Sequence, residues 1–98
     1  MREMRQTEVF RSWLVALSDQ RVRAKILVRV ERLARGNAGH VAPVGSGVSE
    51  LKIDFGPGYR VYFQNRGGAI VLLLCGGDKS TQSKDIARAK ALARDYQE

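Results

Sequence analysis

The chain has 98 residues, enough for one compact domain and too few for two independent cores, which excludes a multi-domain machine. It is 44% hydrophobic and 28% charged with only 2 Pro, a composition that folds and that excludes disordered and collagen-like chains. Its 17 Lys and Arg against 10 Asp and Glu leave a net charge of +7, which suits a polyanionic partner, nucleic acid first among them, or else a soluble basic surface.

Cys75 is the single cysteine and His40 the single histidine. An intramolecular disulfide, a CxxC redox pair, a thiolate zinc site and a histidine-based triad or metal site all lack parts. His40 reads as a loop residue, and the sparse cysteine fits a reducing cytoplasm. The opening MREMRQTEVF carries charge but no apolar segment of a secretion signal. The longest apolar run, 69–75, is far shorter than the roughly 20 residues that cross a bilayer.

In chain order, Met1 to Gln6 alternates weakly and predicts a short edge strand. Thr7 is a suitable N-cap for a helix in which Val9, Phe10, Trp13, Leu14 and Leu17 recur at spacings of three and four and form a buried face. Ser18 and Asp19 interrupt it. A second stripe of Val22, Ile26, Val30 and Leu33, flanked by Leu27 and Ala34, ends at Gly36-Asn37, a left-handed cap. The two helices form an αα-hairpin. The other face of the second helix carries Arg21, Lys25, Arg29, Arg32 and Arg35, with Glu31 as the only acidic neighbour. It reads as a nucleic-acid or acidic-partner face, or as an ordinary solvated one.

Residues 37–49, with three Gly, one Pro and two Ser, predict a loop. From Glu50 the period becomes two: Leu51, Ile53 and Phe55 alternate with Lys52 and Asp54, and after Gly56-Pro57-Gly58, Tyr59, Val61 and Phe63 alternate with Arg60, Tyr62 and Gln64. This predicts a β-hairpin. After a turn at Asn65 to Gly68, Ala69 to Cys75 predicts a strand buried on both faces, and Gly76 to Lys79 leaves the sheet edge. A last helix runs from about Ser83, with Ile86, Ala89, Ala93 and Tyr96 on one face, Leu92 beside them, and Asp85 favouring its N-terminal dipole. The order (β)ααβββα defines an α+β fold, an antiparallel sheet covered by helices, as one domain over residues 1–98.

The two-residue period sends Leu51, Ile53, Phe55, Tyr59, Val61 and Phe63 toward the helices. It leaves Lys52, Arg60 and Tyr62 on an uncovered face that holds a phosphate and stacks a base, or that is simply the polar side of an antiparallel sheet. Lys79 closes that patch from one end.

The segments VSELKIDFGPGYRVYF (Val48 to Phe63) and LLLCGGDKSTQSKDIARAKAL (Leu72 to Leu92) closely resemble the addiction-module killer proteins, a HigB-like subgroup of the RelE/ParE toxin superfamily. TEVFRSWL (Thr7 to Leu14) and the PVG at Pro43 to Gly45 resemble it too, so the match spans nearly the whole chain. The resemblance implies a RelE-like α+β toxin with two N-terminal helices packed on an antiparallel sheet and a C-terminal helix. It implies a ribosome-dependent endoribonuclease that cuts messenger RNA with no metal or other cofactor and is silenced by a cognate, helix-turn-helix antitoxin. The RNA 2′-hydroxyl attacks the adjacent phosphorus, giving a 2′,3′-cyclic phosphate and a 5′-hydroxyl.

Carried over residue by residue, Lys52 matches a strand lysine, Arg60 the arginine of the Gly-Tyr-Arg motif, and Lys79 a basic residue just after the last strand. On that reading Arg60 binds phosphate oxygens, Lys79 stabilises or protonates the leaving oxygen, and Lys52 holds phosphate or assists deprotonation. Tyr62 stacks a base, and Arg21, Lys25, Arg29 and Arg32 contact ribosomal RNA. Two positions depart from the pattern: Asp54 stands where relatives carry a second lysine, and Tyr96 lies too late to match the tyrosine some of them place near the start of the C-terminal segment. A ParE-like inhibitor of DNA gyrase and an inactive antitoxin-binding module share this fold and stay open.

Overall fold

The computed structural model describes residues 1–97. Strand β1 (Glu3–Gln6) leads into helices α1 (Glu8–Ala16) and α2 (Gln20–Ala34). Strands β2 (Val41–Gly45), β3 (Val48–Ile53), β4 (Tyr59–Arg66) and β5 (Ile70–Asp78) follow, then a 3₁₀ turn (Lys79–Thr81) and helix α3 (Gln82–Asp95). The sheet order is β1-β5-β4-β3-β2. β1 pairs parallel to β5 and the other neighbours pair antiparallel, so the sheet is mixed rather than antiparallel throughout.

Local chemistry sets the helix ends. Thr7 caps α1 by accepting the Phe10 N–H through its hydroxyl, which itself donates to the Leu74 carbonyl and so ties the cap to β5. Asp19 caps α2 through the Arg21 N–H, and Gly36, at φ 89°, ends it in the left-handed region. One expectation fails here: residues 41–45 are not loop but an edge strand, joined to β3 by a tight turn at Ser46 and Gly47. Three glycines, Pro43 and a near-absence of large apolar residues mask it, because an edge strand buries little side chain.

The α1–α2 pair covers one face of the sheet, packing Phe10, Ile26 and Leu33 against Leu51, Val61 and Phe63. Trp13 lies between Phe10 and Tyr59, with ring centroids 5.9 and 6.4 Å away. The opposite face is not open. There α3 lays Ala89 and Ala93 on Val48, Tyr62, Leu72 and Leu74, a second core. The three helices therefore enclose the sheet from both sides.

A bulge in β5 decides where the following residues point. Tyr62 pairs with Cys75 and Phe63 with Leu73, so Leu74 is an extra residue and the alternation changes phase after it. Gly76 then turns under Trp13, where a β-carbon would lie 2.3 Å from the indole, and Gly77 turns under α3, where it would lie 1.8 Å from the Asp85 carboxylate. The strand thus continues through Asp78 instead of leaving the sheet at Gly76.

Cys75 is 1% exposed, its thiol against the Asp85 carbonyl, and burial pushes its pKa up to about 12. An unfolded thiol ionises near its ordinary 9.0, so above that pH the unfolded chain releases a proton that the folded chain keeps. Stability contributed by Cys75 is complete below pH 9 and falls as the pH rises toward 12. Thermal melts across an alkaline series should show this decline, and Cys75→Ala should make it shallower, leaving the part above pH 10 that the buried Tyr62 hydroxyl contributes. A thiol reagent at pH 8 should modify the chain in urea and leave the native protein unmodified.

Candidate active site

The turn between β3 and β4 folds on itself, with the Phe55 N–H donating to Ile53 and the Gly58 N–H to Phe55. Gly58 has φ 79°, a left-handed backbone that favours glycine, and both the Arg60 guanidinium and the Lys79 Cβ lie within ordinary contact distance of where its β-carbon would be, at 3.4 and 3.5 Å. Arg60 and Lys79 therefore both lie against this turn. They line a cavity of about 420 Å³ with Asp54, Phe55, Gly56, Pro57 and Gly58.

Lys79 arrives there by a fixed route. The Asp78 carboxylate accepts the Ser80 N–H, and the Thr81 hydroxyl accepts the Asp78 N–H, a reciprocal cap that sets the first residue of the 3₁₀ turn. The donations from Ser80 hold the Asp78 carboxyl below the usual carboxylate range. Lys79 itself is exposed.

Arg60 is only 8% exposed. Its Nη1 donates to the carbonyls of Gly58 and Tyr59 at 3.2 and 3.4 Å. Its Nε lies 3.7 Å from Glu50 Oε1, close enough for charge pairing and too long for a hydrogen bond, and no other acceptor reaches it. Glu50 is 2% exposed, and its Oε2 accepts the Tyr62 hydroxyl at 3.0 Å and the Gln82 amide at 2.8 Å. Lys52 stands opposite Arg60 in the β3–β4 register, on the same face and half-buried, but it does not line the cavity.

Tyr62 is displaced from its expected role. It is completely buried under α3, its hydroxyl bound to Glu50, so it stacks no base. Burial first, and then the Glu50 hydrogen bond and charge, raise its pKa. The exposed aromatic beside the cavity is Phe55, expected in the core and found at 39% exposure with the Lys25 ammonium 4.7 Å from its ring centroid. Lys25 and Arg29 line a second groove of about 470 Å³ with Val28, Ile53, Asp54 and Phe55. Asp54 and Phe55 border both spaces, which makes them neighbours along the turn. Arg21 pairs with Asp19 at 3.6 Å, Arg32 is exposed, and Arg35 pairs with Glu31 at 3.0 Å.

Glu50 escaped the sequence reading because an acidic residue at the start of an alternating strand looks solvated. Its signal is phase: it shares the parity of Val48 and Lys52, so whatever covers Val48 covers it. Among the described residues, no three His, Cys, Asp or Glu side chains converge as metal ligands do.

An α+β protein whose five-stranded mixed sheet is enclosed by two N-terminal helices and a C-terminal helix has the fold of RelE toxins. The Escherichia coli toxin RelE in its free mutant form superposes with a TM-score of 0.71 at 14% identity, covering 97% of this chain and 98% of that one. The RelBE2 toxin–antitoxin complex of Mycobacterium tuberculosis includes a chain that superposes at 0.64 with 19% identity, covering 80% of this chain and 98% of that one. The family model described as Phage derived protein Gp49-like (DUF891) matches residues 12–97, and the chain belongs to that family. An uncharacterized protein of Haemophilus influenzae is 52% identical over 93 residues, 95% of this chain and 94% of that protein.

Proposed function

We propose that this protein is the toxin of a type II toxin–antitoxin system and that it cleaves messenger RNA on the ribosome, in the cytoplasm. The observation that carries the reading is the convergence of Arg60 and Lys79 on one cavity in a chain with the RelE fold. In the reaction the ribose 2′-oxygen bonds to phosphorus as the bond from phosphorus to the 5′-oxygen breaks. The 2′-hydroxyl gives up its proton to solvent and the 5′-oxygen gains one from Lys79, so a 2′,3′-cyclic phosphate and a 5′-hydroxyl result.

The guanidinium of Arg60 grips the non-bridging oxygens and offsets the charge that develops on them. Lys79, reaching in from solvent, donates the proton to the leaving oxygen. Lys52, across the pairing from Arg60, adds positive potential along the incoming backbone. Phe55 supplies the exposed aromatic surface that Tyr62 does not, and Lys25, Arg29 and Arg32 extend the positive surface toward ribosomal RNA. The partner that holds the activity off is a cognate antitoxin, with a helix-turn-helix in our reading, as the RelBE2 toxin is held in its complex.

The test is induced expression followed by mapping of messenger RNA 5′ ends. Cuts in phase with codons are expected. Intact messages with altered DNA supercoiling would overturn the reading in favour of gyrase inhibition, and intact messages with unaltered DNA would leave only an antitoxin-binding module.

A further inference from the structure

We infer that Glu50 is a positioning residue for cleavage: buried beneath α3, it holds Arg60 at the angle from which the guanidinium meets the phosphate. The inference rests on the role proposed for Arg60 and adds a residue with no access to substrate. A carboxylate removed from water is costly unless its lone pairs are occupied, and Glu50 keeps Oε2 occupied by two donors, Tyr62 and Gln82. Those two bonds come from different elements, β4 and the first turn of α3, so the carboxylate cannot swing. Its other oxygen is thereby aimed at Arg60 Nε, 3.7 Å away, the one buried side-chain nitrogen or oxygen among the described residues that has no hydrogen-bond partner.

The arrangement also explains why Arg60 is suited to the task. With Nε turned inward to Glu50 and Nη1 held by the Gly58 and Tyr59 carbonyls, the fork is committed to one orientation before substrate arrives. A long, flexible side chain would otherwise lose rotamer freedom on binding phosphate. At 3.7 Å and out of water, the carboxylate acts on the guanidinium through charge rather than through a hydrogen bond.

Glu50→Gln is the direct test. The amide matches the carboxyl in shape, and rotation of the Tyr62 hydroxyl and a flip of the Gln82 amide can restore its hydrogen bonds, while the charge facing Arg60 is gone. Single-turnover cleavage on ribosomes should fall about 10-fold through the rate at saturating ribosomes rather than through affinity, and the loss should vanish in an Arg60→Ala background. A merely structural Glu50 would cost the same factor in both backgrounds. In the free protein, the Arg60 Nε–Hε resonance, buried beside the carboxylate, should shift when Glu50→Gln removes the charge that faces it.

Parent-like cleavage by Glu50→Gln, an equal loss in both backgrounds, or an unchanged Arg60 resonance would each overturn the inference. Parent-like cleavage by Arg60→Ala would instead overturn the proposed site, and the resonance would then judge Glu50 alone. Should Glu50→Gln fail to fold, Tyr62→Phe removes one of the two donors that aim the carboxylate. It should lose about 3-fold in the parent background and nothing with Arg60→Ala.

Discussion

Arg60→Ala is expected to reduce single-turnover cleavage of ribosome-bound message by about 100-fold or more, the scale on which removing an oriented donor to a developing charge acts. In the proposed reaction the guanidinium meets the phosphate through Nη2, the nitrogen held neither by a backbone carbonyl nor by Glu50, and no neighbour replaces it: Lys52 is outside the cavity and Lys79 is assigned to the leaving oxygen. Arg60→Lys should recover only part of the loss, because a point charge cannot occupy both oxygens. The substitution is not neutral for the fold either, since Arg60 is 8% exposed and faces Glu50. Leaving that carboxylate without its counter-charge should cost about 1–3 kcal/mol. Cleavage is therefore compared per folded molecule, at a temperature where the fluorescence of Trp13 reports the native state. Undiminished cleavage by both Arg60→Ala and Lys79→Ala would remove the site.

The largest expected effect on stability comes from Gly77→Ala. Neither Gly76 nor Gly77 needs a left-handed backbone, so the penalty is contact alone. A methyl group at 77 would lie 1.8 Å from Asp85 Oδ2 and 2.9 Å from Thr81 Oγ1. Asp85 is buried and accepts the Thr81 hydroxyl, so rotating it away sacrifices a buried hydrogen bond, and keeping it lifts the first turn of α3. Overpacking of this kind costs about 3 kcal/mol. For a domain of this size that lowers the melting temperature by more than about 10 °C. Because Gly77 pairs with Arg60 across the sheet and the lifted turn carries Gln82, cleavage should fall along with stability. Asp85→Ala in the same chain should recover part of the loss by vacating the space. A Gly77→Ala protein melting within about 2 °C of the parent would mean that α3 does not press on β5 at this point.

Much of the path from residues to site was legible in the sequence, and the failures share one origin. Thr7, Gly36 and the stripes of α1 and α2 declare themselves through local chemistry. So do the hairpin partners Leu51, Ile53, Val61 and Phe63, whose two-residue period assigns them to a common face. Arg60 and Lys79 were placed on one patch by the two-residue period and matched to motif positions by resemblance, and the structure brings them to one cavity that Lys52 does not line. The expectation that Tyr62 faces solvent failed although its face was assigned correctly. Alternation reports which residues share a face of a sheet and carries no information on whether that face meets water.

What the linear sequence determined about this protein is its α+β class, its helices, its central hairpin and the residue types at the hairpin mouth. All of these depend on periods and turn chemistry spanning a few residues. Tertiary structure alone decided that α3 closes the second face, because α3 is separated from Val48 and Glu50 by two strands and reaches them only through the folded chain. That closure turns Glu50 and Tyr62 from surface residues into a buried hydrogen-bonded pair, with Glu50 facing Arg60. The phase change at Leu74 is likewise nonlocal: a bulge is defined by the partner strand it fails to match, and it is what points Gly77 at Asp85 and leaves Lys79 beside Arg60.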